Sequence, residues 1–352
     1  MNISVIGAGG NIGRQVVITL VQERIFPTTA RLQLVGHRGG QSEKFLPGLA
    51  SDLSDAYAEV IPEIEVCVDP EGVRGDIIIF AASQPISVKP GQIPDRWELA
   101  SKNLPLFESY ARIIGRNRQH GEEIVIIVTN PVELGVEIFA RHFDRSRVIG
   151  MGAFSDTVRF RRELATELGC RRQNVQGLVL GEHGTGMVPC WSTVSAYGYS
   201  SPKGRKALAA LRRSVNPDRQ SAVREATRLL LERNSMEAYR YVSSLGADLR
   251  TFVRPVITLL TGAGTPVGTA EIVARLVETI VDGKHILAAA QVVVQGEFLD
   301  IHGVTGVPVV LSNQGARIEP IHLWPEEVMA VQSAAKKFEE QLAKLLPSGR
   351  GA

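Results

Sequence analysis

The sequence predicts an α/β fold, with a doubly wound parallel sheet in its first half and an α+β second half. Short β-rich runs alternate with helical patterns through the first 150 residues, as a parallel sheet with crossover helices requires. Two of the runs, IIIFAA at 77–82 and IVIIVT at 124–129, are apolar without alternation, the mark of central strands covered on both faces. The first run also enters a glycine-rich turn that opens directly into a helical pattern.

In order, strands are predicted at Asn2–Ile6, Arg31–Val35, Glu65–Val68, Asp76–Ala82 and Glu123–Thr129, and helices around Asn11–Arg24, Trp97–Gly115 and Val132–His142. After Gly150 the pattern changes. A helix is predicted from about Asp156, a strand at Gln176–Leu180, and a basic helical stretch that Asn216 caps with Pro217 at its first position. Glu271–Asp282 reads as a helix. Ile286–Val294, Phe298–Ile301 and Val307–Leu311 read as antiparallel strands broken by Gly296 and Gly303–Gly306, and a last helix runs from about Pro325 to Leu346. No tether separates the halves, so residues 1–150 and 151–352 are expected as two closely packed domains with the site in the cleft between them.

Composition excludes several function classes. The 352 residues carry a formal charge of +2 with 44% hydrophobic residues, an ordinary globular balance that speaks against a nucleic-acid partner. The window 203–254 is locally basic, with 12 Lys/Arg against 5 Asp/Glu, and reads as a solvated helix face. Cys67, Cys170 and Cys190 form no CxxC pair, so neither a disulfide framework nor a zinc site is suggested and a reducing, cytoplasmic setting is expected. The opening MNISVIGAGG lacks the charged segment of a secretory signal. The charge-free stretch Pro255–Ala270 is too short and too broken by glycine and proline to span a bilayer, so no membrane partner is expected.

Chemistry enters at the first turn. Gly7, Gly10 and Gly13, with Asn11 and Ile12 between them, sit in the strand–turn–helix context of a dinucleotide site, where a pyrophosphate rests on unpaired N–H groups at a helix N-terminus. The end of the second strand normally supplies an acid to the ribose 2′-hydroxyl, but here it reads Gly36-His37-Arg38. With no carboxylate to repel a 2′-phosphate and two donors to receive it, NADP is favoured over NAD. In the second half His183, within GEHG at a strand end, is accompanied upstream by Asp156 and Arg159 in SDTVRFR. A carboxylate fixes an imidazole's tautomer for proton transfer, and a guanidinium fork suits a substrate carboxylate. Tyr199 and Lys203 have the spacing of a short-chain oxidoreductase pair, but Pro202 denies them a shared helix. The remaining histidines show no metal-ligand spacing, so no metal is expected.

Taken in order, GAGGNIG, GLASDLSDA, VTNPVE, SDTVRFR, GEHGTGMVP and GVPVVLSNQGA resemble the lactate/malate dehydrogenase family over nearly the whole chain, closest to its malate branch. The resemblance implies an N-terminal Rossmann domain, a C-terminal substrate domain, and hydride transfer between NAD(P) and a 2-hydroxy or 2-keto acid in a homodimer or homotetramer. It makes His183 the proton acceptor and donor with Asp156 its partner, and Arg159 the ligand of the C1 carboxylate. Asn130 would hydrogen-bond the reacting oxygen beside the nicotinamide, and Asn103 and Val128 would contact the cofactor. Arg96 would polarise the substrate carbonyl, brought in from solvent by a loop from about Ser83 that closes over the substrate.

Departures from the pattern bear on substrate. Val88 stands where malate enzymes carry a second arginine, Thr185 and Gly186 replace an acid and a serine, and Pro266 replaces a small pocket residue. Unless Lys89 meets a distal carboxylate, a neutral or bulkier 2-keto acid fits as well as oxaloacetate. The competing reading is a dinucleotide-binding regulatory or structural protein of this fold without turnover.

Overall fold

The computed structural model describes residues 1–84, 92–93, 95–118, 120–212 and 218–346. The first half runs β1 (Asn2–Ile6), α1 (Asn11–Gln22), β2 (Arg31–Val35), α2 (Gln41–Ala56), β3 (Glu63–Cys67), β4 (Ile77–Phe80), α3 (Arg96–Arg116), β5 (Ile124–Ile127), α4 (Val132–Phe139) and β6 (Val148–Gly150). The second half runs α5 (Gly152–Leu168), β7 (Val175–Gly181), β8 (Met187–Ala196), α6 (Pro202–Arg212), α7 (Arg219–Glu232), α8 (Ser235–Ser244), α9 (Ala247–Leu260) and α10 (Pro266–Val281). It closes with β9 (Ile286–Gln295), β10 (His302–Ser312), β11 (Gly315–Ile318) and α11 (Pro325–Leu345).

The first six strands are parallel in the order β3-β2-β1-β4-β5-β6. This is the Rossmann arrangement, whose order reverses between β1 and β4 and leaves a crevice at the strand carboxyl ends. The apolar runs that predicted central strands supply it: Ile77–Phe80 and Ile124–Ile127 are buried throughout. Their side chains alternate between a cluster shared with α1, α2 and α10 and one shared with α3, α4 and α11. Each such side chain contributes about 1.5–3 kcal/mol by leaving water.

Residue 150 ends β6 and pairs with Gln291 of antiparallel β9, so the sheet continues into β10, β7 and β8. Gly181 of β7 meets Gly306 of β10, and a Cβ on Gly306 would lie 2.6 Å from the Gly181 carbonyl oxygen. That close glycine contact fixes the strand end from which the site begins. Helices α7, α8 and α9 keep an apolar cluster of their own around Ala226, Val242 and Val253.

Several elements differ from expectation. Phe298–Ile301 is a turn and not a strand, because Leu299 and Asp300 adopt left-handed φ values of 53° and 52°. Gly303 and Gly306 do not break a strand; both lie inside β10, and Gly303 admits α11, where a Cβ would collide with Glu339. Helix α2 and strand β8 were not anticipated. Leu46, Leu49 and Leu53 give α2 its buried stripe despite Pro47 in its interior. Asn216 and Pro217 fall outside the described residues, and the helix that follows is capped by Asp218, whose side chain accepts from the Ser221 N–H. Among the described residues no helix is long and apolar enough to cross a membrane.

Candidate active site

Beyond β7 the chain turns sharply through Gly184, at φ +87°, and lays His183 against the start of α5. A Cβ on Gly152 would stand 2.5 Å from His183 Cγ, so only a glycine there lets the imidazole rest on the helix backbone. The same helix presents Asp156 and Arg159 one turn apart. Asp156 Oδ2 lies 2.7 Å from His183 Nδ1, and its Oδ1 accepts from Arg159 Nη1 at 2.8 Å.

The Asp156 side chain is fully buried. Burial pushes its carboxyl up, but the charges of His183 and Arg159 and their hydrogen bonds outweigh this and hold it below the usual carboxylate range. An ionised carboxylate can only accept, so Nδ1 carries the hydrogen and Nε2 is left as the ring's exchanging atom. Arg159 makes no other hydrogen bond among the described residues, which leaves most of its fork for a ligand.

Arg96 reaches the same place from another direction. It is the first residue of α3, a helix capped by Asp95, whose Oδ1 accepts from the N–H groups of Trp97 and Glu98. Its Nη1 donates to the His183 carbonyl, its Nη2 donates to Glu133 Oε2 at 2.6 Å, and its Nε stands 3.1 Å from Glu182 Oε1. The expectation that Arg96 waits in solvent is therefore corrected: its side chain is 19% exposed and committed to two carboxylates. Residues 85–91 and 94, with Val88 and Lys89 among them, lie outside the described residues.

Neither Glu133 nor Glu182 was singled out by sequence reasoning. Glu133 is fully buried on α4, and its other oxygen accepts the His183 backbone N–H at 2.6 Å. Burial raises the Glu182 carboxyl above its ordinary value, with Arg96 opposing and Glu133 adding to the rise. The signal for Glu133 was its place three residues after Asn130 in VTNPVE; for Glu182 it was adjacency to His183.

Asn130 is exposed at the end of β5, while Asn103 is fully buried behind it on α3. Asn103 Nδ2 donates to the Asn130 carbonyl at 2.8 Å and its Oδ1 accepts from the Gln84 N–H at 2.8 Å. With its amide engaged at both ends, Asn103 supports Asn130 from behind. Val128 is buried just beyond β5, its N–H donating to the Phe80 carbonyl.

The other edge of the crevice fits a dinucleotide. Gly7 takes φ +83°, and a Cβ there would stand 2.6 Å from Ala82 Cα; one on Gly13 would lie 2.1 Å from the Gly7 carbonyl oxygen. Gly10 is the N-cap of α1 and offers no side-chain cap, so the first-turn N–H groups remain available to an anion, with Gly10 and Asn11 exposed and Ile12 half-buried. Gly36 is buried: its N–H donates to the Cys67 carbonyl at 2.8 Å, and a Cβ would lie 2.8 Å from Leu46 Cδ1 and 2.9 Å from Ser42 Oγ. The His37 N–H donates to Ser42 Oγ at 2.9 Å. Arg38 donates to both oxygens of Asp69, with Nε 2.7 Å from Oδ1. Among the described residues no cluster of His, Cys, Asp and Glu is arranged to hold a metal ion.

Residues 1–150 match the family model described as lactate/malate dehydrogenase, NAD binding domain. Over 98% of this chain and 97% of the relative, the sequence is 26% identical to malate dehydrogenase of Methanothermobacter marburgensis. It is also 26% identical to the L-2-hydroxycarboxylate dehydrogenase (NAD(P)(+)) of Methanocaldococcus jannaschii, over 98% of this chain and all of that one. The fold is similar to lactate dehydrogenase of Cryptosporidium parvum, solved with lactic acid and nicotinamide adenine dinucleotide, with a TM-score of 0.74 at 21% identity over 99% and 98% of the two chains. The glycine-lined strand–turn–helix and the sheet order agree with these comparisons: residues 1–150 match the NAD binding domain of lactate/malate dehydrogenases, and the chain is similar over nearly its full length to malate and L-2-hydroxycarboxylate dehydrogenases.

Proposed function

We propose that this protein is a dehydrogenase that interconverts a 2-hydroxy acid and its 2-keto acid, with His183 as the proton acceptor and donor, residues 1–150 holding the dinucleotide and residues 151–352 the substrate. The single observation that carries the reading is the chain of contacts from Arg159 through buried Asp156 to His183. One carboxylate there sets the imidazole's tautomer and stabilises its protonated form, while it also orients a guanidinium fork for the substrate's C1 carboxylate.

When bound, a nicotinamide supplies the hydride exchange at the substrate's C2. The chain does the rest. Arg159 grips the C1 carboxylate with the part of its fork that Asp156 leaves open. In oxidation, His183 Nε2 takes the hydroxyl proton, and Asp156 pairs with the imidazolium that results. In reduction the same proton returns to the keto oxygen. The Asn130 side chain donates a hydrogen bond to that oxygen, and its backbone is held from behind by Asn103. Arg96 stabilises the growing negative charge. To reach the oxygen its Nη1 exchanges the neighbouring His183 carbonyl for substrate, while Glu133 and Glu182 keep the guanidinium in place. With NADP favoured over NAD, NADPH is the cofactor to test first. The protein acts as a homodimer or homotetramer in the cytoplasm, on either a neutral or a dicarboxylic 2-keto acid.

The test is spectrophotometric: purified protein with NADPH or NADH and a panel of 2-keto acids that includes pyruvate, oxaloacetate and bulkier neutral analogues. Oxidation of the nicotinamide with at least one member supports the reading. Oxidation with none, alongside intact dinucleotide binding, replaces it with a binding protein lacking turnover.

A further inference from the structure

The carboxylate missing from the end of β2 has a counterpart on the neighbouring strand. Asp69 lies two residues beyond β3, and the two strand ends are tied by the Gly36 N–H bond to the Cys67 carbonyl at 2.8 Å. The Cys67 thiol donates to the Asp69 carbonyl at 3.1 Å and helps to set the bend after the strand. Asp69 then engages Arg38 through both oxygens. That guanidinium holds the Asp69 carboxyl below its ordinary range.

These groups share one rim. Gly7 and Ala8 donate to the Val35 carbonyl at the end of β2, a Cβ on Gly9 would lie 3.0 Å from Ser42 Cβ, and Ser42 accepts from the His37 N–H. The glycine turn, Ser42, His37, Arg38 and Asp69 therefore line the strand carboxyl ends where the adenosine half of a dinucleotide binds in this fold. His37 and Arg38 are exposed, and Arg38 and Asp69 have side-chain exposures of 66% and 45%. A solvent-exposed ion pair of this kind is weakly held and exchanges readily for a better partner.

We propose that Asp69 is the specificity-determining carboxylate for the dinucleotide, acting against a ribose 2′-phosphate by occupying Arg38. This rests on the dinucleotide reading given above. A 2′-phosphate binds Arg38 by displacing Asp69 and then lies beside that carboxylate, so the gain from a charge-assisted fork is partly cancelled by like-charge repulsion. A plain 2′-hydroxyl asks for no displacement. The pocket accordingly accepts both dinucleotides and discriminates less than Gly36 and Arg38 alone imply.

Direct binding tests this without turnover. Affinities of NADPH and NADH, and of 2′,5′-ADP and 5′-AMP as probes of the adenosine end, are measured by calorimetry on the wild type, Asp69→Asn, Arg38→Gln and the double variant. Asp69→Asn is expected to raise the NADPH-to-NADH affinity ratio about tenfold, equivalent to about 1.4 kcal/mol, with the same change between the two fragments. In the Arg38→Gln background the effect of Asp69→Asn falls below about threefold. A ratio that moves less than twofold in Asp69→Asn overturns the proposal, as does an effect of full size without Arg38. Wild-type protein that binds neither dinucleotide defeats the dinucleotide reading itself, a separate outcome read before any variant is compared.

Discussion

Glu133 holds the backbone of His183: its buried carboxylate accepts the His183 N–H at 2.6 Å while its second oxygen accepts from Arg96 Nη2 at the same distance. Two groups that converge from different places, the turn after β7 and the start of α3, are thereby fixed to one side chain on α4. Glu133→Gln keeps the shape and one acceptor but turns an amide N–H toward a guanidinium. Breaking a buried pair by altering one partner costs about 3–5 kcal/mol. A lower unfolding midpoint in urea, with turnover reduced more than dinucleotide affinity, is the expected result; turnover and stability at wild-type levels would show that Glu133 positions neither group.

Arg159→Lys separates charge from geometry. An ammonium keeps the positive charge but cannot serve Asp156 and a substrate carboxylate with a planar fork. KM for the 2-keto acid is expected to rise by about one to two orders of magnitude, the loss of roughly 1.4–2.8 kcal/mol of binding, with kcat less affected. Steady-state kinetics check it, and an unchanged KM would remove Arg159 from the carboxylate site.

Asp156 links the site to acid stability. Its folded carboxyl lies below the usual range, so the stabilisation it gives is present above the unfolded value of about 3.9 and is lost as pH falls through the lower folded value. Urea midpoints measured from neutral pH down to about pH 2 should fall steeply in the wild type below about pH 4. Asp156→Asn should be less stable at neutral pH and show a shallower acid limb. Parallel acid limbs in the two proteins would contradict this assignment.

Gly36→Asp would restore the missing strand-end acid, but its Cβ must enter space bounded by Leu46 and Ser42 at 2.8 and 2.9 Å. The helix N-terminus of α2 has to yield. The variant is expected to lose about 1–3 kcal/mol of stability through overpacking while shifting preference toward NADH. Thermal unfolding and paired NADPH and NADH titrations report the two effects separately; full stability would mean that α2 moves aside freely.

Much of the frame was legible because period and burial agree. The central strands announced themselves as unbroken apolar runs, and GAGGNIG stood between a strand and a helix. Short-range signals failed where long-range packing decides. Gly303 looks like a strand breaker until α11 presses against it, and Pro47 hides a helix that Leu46, Leu49 and Leu53 stabilise from below. The pairing of Asp156 with both His183 and Arg159 joins residues 27 and 3 positions apart, and SDTVRFR and GEHG marked all three. Glu133 stood in VTNPVE with nothing to name its partners, and Asp69 lay in no motif, since a carboxylate reveals its partner only when strands and helices from elsewhere bring one near.

The central claim is that His183 moves the proton, and kinetics of His183→Asn test it most directly. Asparagine approximates the ring's polar shape without its basicity, so dinucleotide affinity should stay within about twofold while kcat falls by about two to four orders of magnitude. Turnover close to the wild-type rate, or a loss of dinucleotide affinity equal to the loss of rate, would contradict that role.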